Sequence, residues 1–267
     1  MDFDKRQDND GDLDLYVSSG INKRNIEEFR EDRLYLNMNG KFIRSNNQIP
    51  VNTLVTTAIE AYDYNNDGTI DLFIGNHSDA NDFGKFVQSN LLINDVKGNF
   101  SVDSNFELIS KVTSSMWEDI NADHIIDLLV STEWDAPKIY INTKGDLKLI
   151  ELPKNSNGLW QSISTYDMDS DGDQDILIGN WGLNTKFNLN FDAPLAMYHH
   201  DFDKNGVPET LITYNKDGKN YPLNTKDEMA AQMNVINKFY KNHKSYAGKT
   251  LEELLPKSTL GLANKFE

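Results

Sequence analysis

The chain has 267 residues, enough for one large β domain or two smaller ones with a buried core. Its formal charge of −16, from 26 basic and 42 acidic residues, argues against nucleic acid or an anionic membrane as partner. It has no cysteine, which removes disulfides, zinc thiolate centres and cysteine nucleophiles together, and no apolar run reaches the length of a membrane span.

In chain order, the first recognisable element is DNDGDLDLYV at 8–17, an acidic loop running into an apolar strand. The design returns as DYNNDGTIDLFIG at 63–75, DINADHIIDLLVS at 119–131, DMDSDGDQDILIG at 167–179 and DFDKNGVPETLIT at 201–213. The shared frame, D-x-D/N-x-D/N-G-x-x-D/E, sets oxygen ligands at positions 1, 3, 5 and 9 and a glycine able to take φ > 0 at position 6. A cage of six to eight oxygens suits a hard cation, and that means calcium. An EF-hand loop opens the same way but needs a bidentate Glu at position 12 and flanking helices. Here position 12 is apolar and strand formers follow, so each loop reads as a calcium turn inside a β-hairpin. Eighteen of the 42 acidic residues lie in these loops, and their repulsion predicts strain without bound cations.

In the first loop the strict frame puts Arg6 at position 1. Comparison of Asp2-Phe3-Asp4-Lys5 with Asp201-Phe202-Asp203-Lys204 makes Asp2 and Asp4 positions 1 and 3 of a loop near 2–14; either they or Asp8 complete a site with Asp10 and Asp14. The strand before this loop is expected to be missing. The second loop offers Asp63, Asn65, Asp67 and Asp71, with the Thr69 carbonyl at position 7. The third offers Asp119, Asn121, Asp123 and Asp127 but carries His124 in glycine's place, a turn residue able to adopt left-handed backbone at some cost. The fourth offers Asp167, Asp169, Asp171 and Asp175, with the Asp173 carbonyl at position 7. The fifth offers Asp201, Asp203, Asn205 and Glu209, and its lower charge predicts weaker binding. Against each stands the reading of a solvated Asx turn without an ion.

Between the loops a second element recurs: RLYLNMNGKF at 33–42, NLLINDVKGNF at 90–100 and KIYINTKGDL at 138–147, each a strand, an Asn/Gly turn and the start of a return strand. With Gly11, Gly68, His124, Gly172 and Gly206 as markers, the loops are 57, 56, 48 and 34 residues apart, and the first three intervals fit a four-stranded propeller blade. A repeat then reads strand A, calcium loop, strand B, long loop, strand C, tight turn, strand D. The calcium loops share one face, and the B–C loops at 75–84, 131–137 and 179–194 share the other. His77, Trp134 and Trp181 stand at matching places there, with Asn180 beside Trp181, and exposed rings next to amides and carboxylates hold sugars by stacking and hydrogen bonding. The competing reading packs the tryptophans between blades; Trp117 and Trp160, just ahead of their loops, are expected in the core.

After residue 214 the pattern changes. Thr225 with Glu228 makes a capping box, and Met229, Met233, Ile236 and Tyr240 fall on one helical face. Thr250 with Glu253 starts a shorter helix carrying Leu251, Leu254 and Leu255 before Pro256 ends it. The expected division is therefore repeats over 1–214 and a helical segment over 215–267. Catalytic signatures are scarce: Gly248-Lys249-Thr250 mimics a P-loop end, but His243 stands where its first glycine must be. There is no G-x-S-x-G and no H-E-x-x-H, and His199-His200 reads as strand.

The loops and hairpins resemble FG-GAP/VCBS repeats, the blades of the integrin α-subunit type of β-propeller. DGDLDLYV at 10–17 with YLNMNGKF at 35–42 is similar to bacterial relatives of cartilage acidic protein, which often end in an ASPIC/UnbV module, and DFDKNG at 201–206 with the helical stretch after it resembles an insertion in Bacteroidetes members. The resemblance implies an all-β fold: a partial integrin-α-like β-propeller of about four blades with a C-terminal helical subdomain, where the family usually has seven. It also implies a calcium-binding module, extracellular or at the cell surface, that recognises a glycan or protein and does no catalysis. Met1 lies directly against the first repeat, so the chain is expected to be a fragment of a longer exported protein whose remaining blades are partners. Two alternatives stand beside this: a calcium-dependent polysaccharide lyase, for which Lys85, Lys138, Lys186 and the nearby histidines are the available bases, and a scaffold that positions other domains.

Overall fold

The computed structural model describes residues 3–5, 13–20, 30–153, 155–182 and 192–267. The chain forms two compact units, residues 1–80 with 86–180 and residues 81–85 with 181–267. The boundary expected at residue 214 falls inside a strand of the second unit.

The first unit is built from the expected meander. β1 (Phe3–Lys5), β2 (Leu13–Val17), β3 (Arg33–Asn37) and β4 (Phe42–Arg44) form one antiparallel sheet in sequence order. β5 (Val55–Tyr62) and β6 (Asp71–Ser78) enclose the second acidic loop. After a two-residue strand, β7 (Val87–Gln88), the sheet continues with β8 (Asn90–Asn94) and β9 (Phe100–Val102). β10 (Ile109–Ser110) pairs with β7, and β11 (Val112–Glu118), β12 (Asp127–Asp135), β13 (Lys138–Thr143) and β14 (Asp146–Ile150) repeat the A-B-C-D order. β15 (Gly158–Tyr166) and β16 (Asp175–Asn180) enclose the fourth loop, and β15 also pairs with the end of β12. The expected missing strand is present. β1 pairs with β2 and sets Asp4 opposite Asp14, in the register that Tyr62 holds with Asp71, so Asp4 is a strand residue.

Each central strand is an apolar run flanked by partners, and β6 and β12 are buried on both faces. Consecutive blades meet closely: a Cβ on Gly75 would lie 2.6 Å from Val112 Cγ1. The first strand of each blade is tied to the next by a threonine hydroxyl, Thr57 Oγ1 donating to the Val112 carbonyl at 2.6 Å and Thr113 Oγ1 to the Trp160 carbonyl at 2.7 Å. One core gathers Ala58, Phe73, Leu91, Val112, Leu128, Val130 and Tyr140, and a second gathers Tyr16, Leu34, Leu72, Ile74 and Leu92. Trp117 packs against the first of these and its ring lies 5.6 Å from that of Tyr62.

In the second unit β17 (Leu195–His200) and β18 (Glu209–Lys216) enclose the fifth loop, followed by β19 (Lys219–Pro222). No long loop follows β18: Asp217 and Gly218, both with φ > 0, turn it straight into β19, and the outer place beside β17 is taken by β20 (Asn264–Phe266). Between them lie α1 (Lys226–Gln232), α2 (Val235–Phe239), α3 (His243–Tyr246), α4 (Leu251–Leu254) and α5 (Lys257–Leu260). The Thr225–Glu228 capping box is formed. The helix expected through Tyr240 breaks at Met233, whose φ of −126° leaves the helical region ahead of Asn234 and Val235, both weak helix formers. Met229, Met233 and Ile236 are nevertheless buried in one core with Leu211, Phe202 and Leu251. Fold class is as expected, mostly antiparallel β with short helices at the C-terminal end.

Candidate metal centres

Four loops share one hydrogen-bond plan. The position-1 carboxylate accepts the amides of positions 5 and 6, as in Asp67 N–H to Asp63 Oδ1 at 3.0 Å and Gly68 N–H to Asp63 Oδ2 at 2.9 Å. The same pairs recur at Asp119, Asp167 and Asp201. The side chain at position 5 accepts the amide of position 7, at Asp67, Asp123, Asp171 and Asn205. Position 3 accepts the position-5 amide through Asn65, Asn121 and Asp169. Glycine was expected at one left-handed place, but two are used. Position 4 has φ of 58° at Asn66, 58° at Ala122, 61° at Ser170 and 60° at Lys204, and position 6 has φ of 90° at Gly68 and 67° at His124. His124 is thus a turn residue, with its side chain 95% exposed.

Position 9 lies at the start of strand B and in four of the five loops is sunk into the sheet. Asp14, Asp71, Asp127 and Glu209 are buried. One oxygen of each of the first three is held by a backbone amide at the end of strand C: Asn37 to Asp14, Asn94 to Asp71 and Asn142 to Asp127, each at 2.8 Å. These asparagines were visible as the repeated LN, IN and IN before each turn, but spacing alone did not disclose their partner. Burial pushes the Asp71 carboxyl up to about 7, reinforced by the charges of Asp67 and Asp63 and opposed by the Asn94 and Tyr64 amides. Asp127 and Glu209 are likewise raised, first by burial and then by their neighbouring loop carboxylates. Asp173 is raised mainly by the charge of Asp171.

The donor set fits a hard cation. Asp71 Oδ2 and Asp203 Oδ1 are buried, the second with no hydrogen bond among the described residues and the first with no more than a weak approach of the Tyr64 amide, a costly state for a carboxylate oxygen unless a cation meets it. The carboxylate oxygens of Asp167, Asp169 and Asp175 converge within 4.8 Å of one another, as do those of Asp201, Asp203 and Glu209. A family model for FG-GAP-like repeats matches residues 8–74 and 119–178. Over those two spans, a little under half of its length, the chain is similar to FG-GAP-like repeats. No curated protein matches it. The matched spans of the FG-GAP-like repeats contain the loops at 63–71, 119–127 and 167–175; the loop at 201–209 lies beyond them yet keeps their hydrogen-bond plan. Asp10 lies outside the described residues, and Asp14 sits at position 9 of the first loop, buried.

At the opposite end of the blades, the expected ligand residues divide. Trp134 is 6% exposed, so it cannot offer a ring to a sugar. The cause is a bulge where β12 pairs with β15, which gives Trp134 a φ of 61° and turns the ring inward. His77 is half-buried, and its Nε2 lies 3.0 Å from Glu133 Oε2, while Gln161 Nε2 donates to Glu133 Oε1 at 2.7 Å. Burial alone raises Glu133, yet these bonds and the nearby Lys111 charge hold it below the usual carboxylate range. Lys111, which sequence reasoning missed, is fully buried and donates from Nζ to the His77 carbonyl at 3.2 Å. Asn180 is exposed and ends the first unit; Trp181, also exposed, belongs to the second. Lys138 is paired with Asp135 at 2.9 Å, Lys85 belongs to the second unit, and Lys186 lies outside the described residues. Among the described residues, no helix is long and apolar enough to cross a membrane.

Proposed function

We propose that this chain is a calcium-stabilised recognition module of an exported protein. The observation that carries the reading is Asp71: a fully buried carboxylate whose Oδ2 has no close hydrogen-bond partner beyond the weak approach of the Tyr64 amide, at the ninth position of a loop whose other oxygens come from Asp63, Asn65 and Asp67. Those residues with the Thr69 carbonyl would hold one ion. Asp119, Asn121, Asp123 and Asp127 would hold a second, Asp167, Asp169, Asp171 and Asp175 a third, and Asp201, Asp203, Asn205 and Glu209 a fourth. Bound calcium supplies positive charge that offsets each carboxylate cluster.

The partner is a glycan or protein that meets the blade ends remote from these loops, where His77 and Asn180 lie; the module binds and does not catalyse. Bonds from His77 and Gln161 to Glu133 support this by holding that end in one arrangement. The test is calorimetric titration of the whole chain with calcium chloride, with magnesium as control, and thermal unfolding in calcium and in chelator. Calcium-specific heats and a raised midpoint support the reading. Equal melting in calcium and chelator, without heat, makes the loops solvated turns. A glycan array with His77→Ala and Asn180→Ala as controls tests the partner.

A further inference from the structure

Two acidic loops in neighbouring blades hang on one side chain. Asn142, fully buried at the end of β13, donates its backbone N–H to Asp127 Oδ1 at 2.8 Å, fixing the ninth position of loop 119–127. Its Nδ2 donates to the Tyr64 carbonyl at 2.8 Å and to the Ile126 carbonyl at 3.1 Å. Tyr64 stands between Asp63 and Asn65 in loop 63–71 of the preceding blade. Asn142 Oδ1 in turn accepts the Gly145 amide at 2.8 Å, so the carboxamide is held at both ends. Gly145, at φ 91°, approaches Asn65 so closely that a Cβ there would lie 3.1 Å from Asn65 Cβ and 3.2 Å from its Cα. The hairpin of one blade is thereby a wall of the other blade's loop.

We propose that Asn142 couples loops 63–71 and 119–127, so that the two fill with cations cooperatively; this rests on the calcium reading above. Any movement of Asp127 toward a bound ion shifts the Asn142 backbone. The rigid carboxamide carries that shift to the Tyr64 carbonyl and so to the ligands on either side of it. Asn142 offers no oxygen to either ion and acts as a positioning residue for both. A packed, fully hydrogen-bonded link of this kind transmits displacement because its parts have few alternative arrangements.

The test is calcium titration of the full chain by calorimetry, with the ion of loop 63–71 identified as the one that Asp71→Asn removes. Asp127→Asn should abolish its own site and also weaken binding at loop 63–71 by about fivefold or more, the lower range of measured couplings. In an Asn142→Ala background the same substitution should change loop 63–71 by less than about twofold. Gly145→Ala, which strains the left-handed backbone at φ 91° and presses a methyl group on Asn65, should weaken loop 63–71 although Gly145 is in the next blade. If Asn142→Ala does not fold, the Asp127→Asn and Gly145→Ala arms still decide. Calcium bound at both loops of the parent, with affinity at 63–71 unchanged in Asp127→Asn, overturns the coupling alone. No calcium bound anywhere overturns the calcium reading and the coupling with it.

Discussion

Replacing Asp71 by asparagine removes a charge that the calcium-free protein holds at a cost, and so should reverse sign between chelator and calcium. The carboxyl is pushed from its ordinary 3.8 up to about 7 by burial and by Asp67 and Asp63. The distance from 3.8 to about 7, at 1.36 kcal/mol per tenfold change in proton affinity, is on the order of 4 kcal/mol. Because the folded state binds this proton more tightly than the unfolded chain, the associated stability is fully present below the ordinary carboxyl range. It is lost as pH rises through about 7. Asparagine keeps an acceptor for the Asn94 amide but turns an N–H₂ toward the Tyr64 amide, at a cost of about 1–2 kcal/mol. At pH 8 in chelator the variant should therefore be more stable than the parent by roughly 2 kcal/mol, with a flatter pH dependence between 4 and 8. In millimolar calcium it should be the less stable of the two, having lost a ligand. The assay is urea unfolding followed by tryptophan fluorescence, to which Trp117 contributes, its ring stacked on Tyr64 and tilted against Tyr62 at the loop. A variant less stable than the parent at pH 8 in chelator, with the parent's pH slope, would refute the buried charge.

Three further outcomes are expected. His124→Gly relieves a left-handed non-glycine residue whose side chain is exposed, and should raise stability by about 0.5–1 kcal/mol while tightening calcium at loop 119–127, both readable by melting and calorimetry. Trp134→Ala should cost about 3–5 kcal/mol in urea, as a buried aromatic does, whereas Trp181→Ala should stay within about 0.5 kcal/mol; equal effects would contradict the inward ring. Thr113→Val removes the tie from β11 to the Trp160 carbonyl and should cost about 0.5–1.5 kcal/mol without altering calcium stoichiometry.

The acidic loops were legible because everything that defines one lies within nine residues. Ligand oxygens, the turn and the strand that follows are local chemistry, and the four loops described in full fold alike even where His124 or Asn205 departs from the frame. The hairpins at 33–42, 90–100 and 138–147 were legible for the same reason, through alternation ended by an Asn/Gly turn. The left-handed position 4 was not, since Asn66, Ala122, Ser170 and Lys204 share no side-chain chemistry and the loop imposes the conformation on all of them.

Sequence by itself thus determined the repeat, the β class, the identity of the loop oxygens and the helical end, since each follows from short-range periodicity and turn stereochemistry. Tertiary structure decided what depends on distant partners. The Asn142 side chain reaches Tyr64 across 78 positions of chain, and a bulge set by pairing with β15 turns Trp134 inward. Likewise, packing buries Asp71 and leaves one of its oxygens poorly met. Burial and long-range hydrogen bonds belong to pairs of segments, and no single segment encodes them.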